Sequence, residues 1–191
     1  MNLQEMIVIN KDVSVRPIFS TPIFHIKGKE EEVKDLKDWS IGWERKDTNR
    51  EHSNRGGYHS TTSKDFNLIP NINILKNKLN FLPEHTFGNW WINIQRKGNY
   101  NVTHNHPGAD LSFIWYVTDN YNSLVFVNYQ NEMMRNRLHA AFKNNDLFEH
   151  KFTWDCNAGD LLVFPSDTLH YTKMHDFRTP RISISGNILM Q

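Results

Sequence analysis

Hydrophobic and polar residues alternate with a period of two in the second half of the chain, which is the pattern of half-buried β-strands. The clearest case is residues 181–189, where Ile182, Ile184 and Ile188 share one face and polar residues occupy the other. A continuous apolar run at residues 161–164 indicates a buried strand. Four further strands are predicted, at residues 90–96, 111–117, 123–129 and 148–156. The pattern is typical of an antiparallel β-sandwich.

The first part of the chain predicts one strand and two helices. Residues 15–26 indicate an opening strand at a sheet edge, where the missing amide hydrogens of Pro17 and Pro22 are harmless. Residues 29–43 combine many Glu and Lys residues with apolar residues at helical spacing, so they predict an amphipathic helix that covers one sheet. A second packing helix is predicted within residues 66–82.

Polar segments separate these elements. Residues 47–63 are polar and contain two glycines, so they predict a mobile loop or lid, in which Tyr58, His59 and Ser60 are candidates to contact a substrate. His59 is interpreted as an ordinary loop residue. Residues 133–146 predict an excursion between two strands.

Composition predicts one globular domain over residues 1–191, with a strand and supporting helices up to residue 88 and a barrel core from residue 89. The net charge is +1, from 22 basic and 21 acidic residues, so no broad cationic surface indicates nucleic acid or an anionic membrane as partner. Cys156 is the single cysteine, and no signal peptide or membrane-spanning apolar run is evident, so we expect a cytoplasmic protein.

Two histidines separated by one residue, His104 and His106, give the strongest chemical signal. Alternate side chains of an extended chain project to the same side, so both imidazoles can reach one cation. A third imidazole, His170, follows the predicted strand at residues 161–164. Imidazole suits zinc, copper, nickel or non-haem iron, whereas Mg²⁺ and Ca²⁺ prefer oxygen ligands. The sequence therefore predicts a transition-metal site without fixing the metal.

The polar face of the last predicted strand carries Arg181, Ser183, Ser185 and Asn187. A guanidinium donates two parallel hydrogen bonds to a carboxylate, and a hydroxyl two residues along the strand adds a third. Together with the histidines, this face predicts a site for a metal and a carboxylate-bearing ligand, as in an iron oxygenase.

The chain resembles the 2-oxoglutarate- and Fe(II)-dependent oxygenases in three places: residues 159–164, His170 and Arg181-Ile-Ser. Arg181 lies eleven residues beyond His170, a spacing typical of these enzymes. More narrowly, the patterns HxHP, FPSxxxH and RxSxSxN resemble a small bacterial and phage subfamily. The segments that carry this narrower resemblance are Phe19-Ser-Thr-Pro-Ile, Gly56-Gly-Tyr-His-Ser, Trp91-Ile-Asn, His104-Asn-His-Pro, Leu111-Ser, Trp115-Tyr-Val, Phe164-Pro-Ser, His170 and Arg181-Ile-Ser-Ile-Ser-Gly-Asn.

The resemblance implies an all-β fold with flanking helices (α+β), namely a double-stranded β-helix, the jelly-roll or cupin-like barrel. It implies His104, His106 and His170 as ligands of Fe(II), with Arg181 and Ser183 holding the distal carboxylate of 2-oxoglutarate. Three further residues are expected in the cosubstrate pocket: Asn93, Tyr116 and Asn187. No catalytic residue beyond the metal centre is implied. The implied reaction hydroxylates a C–H bond of a small-molecule or peptide substrate and releases succinate and CO₂. The substrate and the oligomeric state stay open, a homo-oligomer included.

Two positions depart from the usual pattern of such enzymes. The common non-haem iron site has two histidines and one carboxylate, and His106 stands where that carboxylate is usual. Asp110 is a candidate for the missing carboxylate, provided that the chain turns sharply at Pro107 and Gly108. Phe113 stands where the subfamily usually has glycine, and we expect its ring to reshape the substrate pocket.

Two alternatives use the same residues. The first is a cupin-type enzyme: the first half of a cupin metal motif resembles Gly98 followed, after five residues, by His104-x-His106 and then Asp110. This would indicate a three-histidine zinc or iron enzyme with isomerase, lyase or dioxygenase chemistry that does not use 2-oxoglutarate. Such an enzyme has no general need for Arg181. The other alternative is a catalytically inactive barrel that binds a partner or a sugar.

Overall fold

The computed structural model describes residues 7–10, 13–15, 21–128, 137 and 151–191. Within these residues the alternating segments form two large antiparallel sheets, one of six strands and one of five, and residues near the amino terminus form a separate two-stranded ribbon. The predicted excursion at residues 133–146, apart from residue 137, and residues 16–20 of the predicted opening strand lie outside the described residues.

The six-stranded sheet has the strand order β3-β11-β8-β13-β6-β5. The bounds of its strands are β3 Phe24–Ile26, β5 Tyr58–His59, β6 His85–Gln95, β8 Leu111–Tyr116, β11 Leu161–Pro165 and β13 Arg181–Met190. β3 is the part of the predicted opening strand that pairs in this sheet, and it lies at the sheet edge, as predicted. β13 pairs along most of its length with both β6 and β8, so it lies at the centre of the sheet.

The five-stranded sheet has the order β10-β9-β12-β7-β4. Its strands are β4 Asn54–Arg55, β7 Tyr100–His104, β9 Asn120–Val127, β10 Lys151–Cys156 and β12 Leu169–Thr172. The ribbon consists of β1 Ile7–Asn10 and β2 Val13–Val15. His170 was expected just past β11, and the structure places it on a strand of its own, β12, opposite His104.

The helices lie on one side of the six-stranded sheet. A 3-10 turn at Glu30–Glu32 precedes helix α1, Lys34–Glu44, and a second 3-10 turn at Phe66–Leu68 precedes helix α2, Ile72–Lys78. Helix α2 falls within its predicted segment, and helix α1 ends one residue beyond the predicted segment 29–43, at Glu44. None of the helices in the described part of the chain combines the length and apolarity needed to cross a bilayer.

The six-stranded sheet buries both of its faces, which explains why its inner strands are so apolar. One face packs on the helices through a large cluster that includes Leu36, Leu75, Trp90, Trp115 and Ile184. The opposite face packs on the five-stranded sheet through a second cluster, whose buried members are Ile114, Tyr116, Leu124, Phe126, Cys156, Leu162 and Phe164. Consecutive residues of β8 therefore belong to different clusters, as the period of a strand requires.

Residues 47–63, which were predicted to form a mobile loop or lid, contain two short strands. The segment contributes β4 to one large sheet and β5 to the other. Asp47 fixes it by accepting hydrogen bonds from Tyr58 Oη at 2.8 Å and from the backbone nitrogen and hydroxyl of Thr61, both at 2.7 Å. The amino-terminal part of the chain is therefore woven into both barrel sheets, and β6 already begins at His85.

Phe113 does not reshape the pocket, because its ring lies on the helix side of the six-stranded sheet. It is fully buried beside Phe66, with a ring-centroid distance of 6.4 Å. Gly186 on β13 lies against this ring, and a Cβ atom there would come within 2.6 Å of two ring carbons. Strand alternation sends the neighbouring Ile114 to the opposite face, toward the interior pocket.

Candidate functional site

His104, His106 and His170 meet at one end of the barrel. His104 is the last residue of β7, His106 follows two residues later, and His170 lies opposite His104 on the neighbouring β12. Their ring centroids are 4.3 Å apart for His104 and His170, 5.1 Å for His104 and His106, and 5.2 Å for His106 and His170. One nitrogen of each ring lies within 4.8 Å of the others.

Backbone carbonyls orient two of these rings. His104 Nδ1 donates to the carbonyl of Val102 at 2.8 Å, and His170 Nδ1 donates to the carbonyl of Thr168 at 2.9 Å. A carbonyl oxygen only accepts, so the proton of each neutral ring lies on Nδ1. Nε2 then keeps its lone pair for a metal, which is the arrangement that supports metal-bound histidines generally.

The three imidazoles are electrically neutral at neutral pH. Burial, together with the nearby His104 and His59, lowers the pKa of His106 to about 3. Burial, reinforced by the other two rings of the cluster, holds the pKa of His170 well below its ordinary value. Neutral imidazole is the form that binds metals. The donor set of three nitrogens therefore fits Fe(II), and it also fits zinc.

Asp110 does not supply a carboxylate to this cluster. The chain does turn at residues 107–108, with Gly108 at φ 90°, but the Asp110 carboxylate accepts a hydrogen bond from the Met190 backbone at 2.8 Å. In the described residues the ligand cluster contains only histidines. The expected rescue of the two-histidine, one-carboxylate pattern by Asp110 is wrong, because the turn directs that side chain to the carboxyl end of β13.

Three further residues lie around the histidines, and of these only Ser53 was not singled out by the sequence. Ser53 Oγ lies 3.3 Å from His104 Nε2, the ring nitrogen that keeps its lone pair. His59 is buried and stacks on Trp91, with ring centroids 5.6 Å apart and an interplanar angle of 12°, and Trp91 in turn contacts His106 at 5.1 Å. His59 is therefore part of the site wall and not an ordinary loop residue. Its pairing through β5 is what brings it here.

An interior pocket extends from the histidines between the two sheets. The polar face of β13 lines it with Arg181, Ser183 and Ser185, as the alternation predicts. The other residues that line it are Trp91, Asn93, Gln95, His104, His106, Ile114, Tyr116, Asn120, His170 and Thr172. The pocket therefore joins the imidazole cluster to the guanidinium of Arg181 inside the barrel.

Arg181 is buried, with 6% of its surface exposed, and burial lowers its pKa to about 10. Gln95, its partner across the paired strands, accepts hydrogen bonds from Nε at 2.9 Å and from Nη2. Nη2 also donates to the carbonyl of Lys173 at 3.3 Å. No carboxylate of the described residues forms an ion pair with this guanidinium. The buried cation therefore lacks a counterion from this part of the chain.

The other expected cosubstrate residues fall in two places. Asn93 and Tyr116 line the interior pocket. Asn93 Nδ2 donates to Ser185 Oγ at 3.2 Å, and Asn93 Oδ1 is buried with no hydrogen-bond partner among the described residues. Asn187 lies elsewhere: its amide donates to Asn89 Oδ1 and accepts from Ser112 Oγ, each at 2.9 Å. The structure does not bring Asn187 into the pocket of Arg181.

Asn187 instead lines an outer cleft of about 420 Å³ that opens beside His104 and His106. The other residues of this cleft are His52, Ser53, His59, Thr62, Asn89, Trp91, Val102, Asn105 and Pro107. None of these side chains is a Lys, Arg, Asp or Glu, so a ligand here meets amides, hydroxyls and aromatic rings. The volume is that of an ordinary small-molecule site.

A second group of potential metal ligands, His25, Cys156 and Asp160, has a structural explanation. Trp154 Nε1 donates to His25 Nδ1 at 3.2 Å, and His25 Nε2 donates to Asp160 Oδ2 at 2.9 Å. Both nitrogens of His25 are thus engaged, and neither presents a lone pair to a cation. Burial raises the pKa of the Cys156 thiol, which disfavours the thiolate that metals require.

Solved structures of low sequence identity share the fold. A non-heme alpha-ketoglutarate-dependent carbocyclase, SnoK from nogalamycin biosynthesis, superposes with a TM-score of 0.63 at 12% identity over 89% of this chain and 80% of that one. A Pseudomonas putida prolyl-4-hydroxylase gives 0.60 at 11% identity over 90% and 94%. HygX from Streptomyces hygroscopicus, solved with nickel and 2-oxoglutarate, gives 0.59 at 12% identity over 90% and 84%. A search of curated proteins found no match.

The two packed sheets, together with the similarity to these solved structures, confirm the predicted double-stranded β-helix with flanking helices. The model of the protein family described as "Putative 2OG-Fe(II) oxygenase" matches residues 89–187, which include the three histidines and Arg181. The chain belongs to this family. It is an Fe(II)- and 2-oxoglutarate-dependent oxygenase, which confirms the predicted reaction class and the predicted cofactors.

Proposed function

We propose that the chain hydroxylates a C–H bond of a substrate that enters through the outer cleft, with Fe(II) held by His104, His106 and His170. In this proposal Arg181 binds the distal carboxylate of 2-oxoglutarate in the interior pocket, and Ser183 assists it. Iron bound with the keto acid supplies the activation of dioxygen that oxidises the substrate, while 2-oxoglutarate is converted to succinate and CO₂.

One observation supports this assignment above the others: a buried guanidinium, to which the described residues supply no carboxylate partner, lines the same pocket as three neutral imidazoles. Burial of a cation costs free energy unless a negative charge lies nearby, so this pocket favours an anionic ligand. 2-Oxoglutarate has a carboxylate for the guanidinium at one end and a chelating keto acid for the metal at the other. A single ligand of this class uses both features.

The chain's own residues have separate tasks in this proposal. Gln95 holds Arg181 in place, so the guanidinium does not have to be ordered when the cosubstrate binds. Val102 and Thr168 orient the ligand rings through their carbonyls. His59 stacks on Trp91, and Trp91 contacts His106, so the two aromatic side chains form a wall of the outer cleft beside the metal cluster and limit the access of water from that side.

Finer features of the prediction also remain proposals. We place the chain in the bacterial and phage subfamily defined by the HxHP, FPSxxxH and RxSxSxN patterns, and we treat residues 1–191 as one domain. Its substrate is a small molecule or a peptide, and the charge-free outer cleft favours a substrate whose reacting part is uncharged. A cytoplasmic location is supported by Cys156, which is a free, buried thiol.

The direct test is an anaerobic titration of Fe(II)-loaded protein with 2-oxoglutarate, monitored by the visible charge-transfer band of the bidentate chelate. We expect a saturable band in the wild type and a large loss of 2-oxoglutarate affinity in Arg181→Met, which keeps the length of the side chain. Fe(II) binding should be equal in both proteins. A wild type that binds iron but gives no band would contradict the proposal and favour a cupin-type metalloenzyme or a binding barrel.

A further inference from the structure

The guanidinium of Arg181 reaches the interior pocket with only part of its hydrogen-bonding capacity. An arginine side chain carries five N–H donors. Gln95 takes Nε and one hydrogen of Nη2, and the carbonyl of Lys173 takes the other hydrogen of Nη2. Among the residues that the structure describes, no acceptor bonds to Nη1. The guanidinium edge formed by Nε and Nη2, which often binds a carboxylate through two hydrogen bonds, is therefore already bonded to Gln95 and Lys173.

A carboxylate that binds to Nη1 alone keeps unfilled acceptor sites on its second oxygen. An ionised carboxylate offers about four lone-pair positions, and leaving them unmet in a buried site is costly. A second donor that faces the same space is needed. Ser183 is one candidate from the sequence, and the structure provides another that the sequence did not indicate.

That second candidate is Asn120, the first residue of β9. It is only 2% exposed, and its Nδ2 group is buried without a hydrogen-bond partner in the described part of the protein. Asn120 lines the interior pocket together with Arg181 and Tyr116. It also lines, again with Arg181, the larger cavity of about 690 Å³ on the other side of the guanidinium. Asn120 therefore lines both cavities that Arg181 lines, and the described part of the protein supplies no acceptor for its Nδ2 group.

We propose that the side-chain amide of Asn120 is the second hydrogen-bond donor, beside Arg181, for the distal carboxylate of 2-oxoglutarate. The inference rests on the proposed function of the pocket and adds a cosubstrate-specificity residue to it. Asn120 then contributes to the choice of a keto acid that ends in a carboxylate over one of equal length that ends in a methyl group. A buried amide donor left unpaired in the free protein is satisfied when the cosubstrate binds.

The test compares two keto acids on Fe(II)-loaded protein under anaerobic conditions, 2-oxoglutarate and 2-oxopentanoate. Both chelate iron in the same way, but only the first has a distal carboxylate. A hydrogen bond to a charged group contributes about 1.5–3 kcal/mol, so we expect Asn120→Ala to raise the Kd of 2-oxoglutarate by about 10-fold or more. The Kd of 2-oxopentanoate should stay the same. Asn120→Asp, of equal size, should weaken 2-oxoglutarate further through like-charge repulsion.

Ser123→Ala is the matched control. Ser123 lies on the same strand, is buried, and also has an unpaired side-chain oxygen, but it does not line the interior pocket. We expect both keto acids to bind this variant as they bind the wild type. If Asn120→Ala does not fold, as judged by circular dichroism, the nearly isosteric and uncharged Asn120→Leu, which also lacks the amide donor, takes its place.

Three results would overturn the inference. An unchanged 2-oxoglutarate Kd in a folded Asn120 variant would show that Asn120 does not donate a hydrogen bond to the distal carboxylate. Equal weakening of both keto acids would assign Asn120 a merely structural role. In either case, loss of 2-oxoglutarate binding in Arg181→Met would leave the proposed function intact. A wild type that binds iron but neither keto acid would instead overturn the proposed function and this inference with it.

Discussion

Gln95 Oε1 accepts hydrogen bonds from both Nε and Nη2 of Arg181, across the pairing of β6 with β13. The partner is a neutral amide, so the guanidinium is fixed in position while no carboxylate among the described residues compensates its charge. Gln95 is in turn held by donating its own amide to Asn101 and, at 3.1 Å, to the hydroxyl of Thr172. The protein thus orients a buried cation without neutralising it, as a pocket for an anion requires.

This relationship makes Gln95→Glu an informative substitution. A carboxylate at position 95 would form an ion pair with Arg181 and supply the counterion that we assign to 2-oxoglutarate. We expect Fe(II) binding to be retained and the Kd of 2-oxoglutarate to rise by about 10-fold or more, since the pocket loses its net positive charge. The measurement is the anaerobic charge-transfer titration. Gln95→Met, which removes the bonds without adding charge, is the control and should weaken binding less. Equal effects of the two substitutions would show that the position of the Arg181 guanidinium, and not the net charge of the pocket, determines the affinity for 2-oxoglutarate.

The alternation of β13 was enough to predict its two faces. Ile182, Ile184 and Ile188 are fully buried in the cluster on the helix side, and Arg181 and Ser183 line the interior pocket. A strand with one apolar and one polar face has only one register that buries the apolar side, so the sequence pattern determines the outcome. The same reasoning applies to the predicted strands of both sheets and to the two helices.

Other features depend on contacts between residues far apart in the chain. The buried polar residues Ser53 and Asn54 have the composition of a loop, yet they are ordered because Asn101 and Gly57 supply their hydrogen-bond partners. Nor does local sequence show that the amide of Gln95 takes one edge of Arg181. Polar groups in a folded interior are satisfied by tertiary partners, and propensity and periodicity contain no information on these partners.

His106→Asp tests the meaning of the third imidazole. The substitution restores the two-histidine, one-carboxylate pattern common in non-haem iron sites, and an anionic oxygen ligand lowers the net charge of the metal centre. We therefore expect Fe(II) affinity to be preserved or increased, as measured by competition with a metal-sensitive dye under anaerobic conditions. His106→Ala is the control and should bind iron more weakly. Complete loss of iron from a correctly folded His106→Asp protein would show that the site requires three nitrogens.

The metal-free protein should lose stability as the pH falls below 6.5. That is the ordinary pKa of histidine, and burial lowers the pKa to about 3 for His106 and about 4 for His59 in the folded state. The unfolded chain therefore binds more protons over this range, so the free energy of unfolding is highest above pH 6.5 and declines as the pH drops toward the folded values. The loss is about 1 kcal/mol for each such imidazole over the first pH unit below the ordinary value.

Urea unfolding of chelator-treated protein at a series of pH values measures this slope. His59→Gln should flatten the curve because one low-pKa imidazole is removed. His85→Gln provides the control, since His85 lies at the start of β6 and outside the site, and it should keep the wild-type slope. A midpoint that does not change with pH below 6.5 would mean that the imidazoles are accessible to protons in the folded state.

Gly186→Ala should be strongly destabilising, because the centre of β13 has no room for a methyl group. A Cβ at this position would lie 2.6 Å from two carbons of the Phe113 ring and 2.7 Å from the backbone oxygen of Asn89. The fully buried ring has little space to move, so we expect a loss of about 1–3 kcal/mol in the free energy of unfolding, measured by urea denaturation. Gly42→Ala is the matched control: it lies within α1 with nothing within 4 Å of the added atom, and it should stabilise the protein by about 0.5–1 kcal/mol.

Pairing Gly186→Ala with Phe113→Leu should recover part of the loss, because the shorter side chain vacates the space that the new methyl group needs. Failure of the second substitution to recover stability would locate the conflict at the Asn89 backbone instead of the ring.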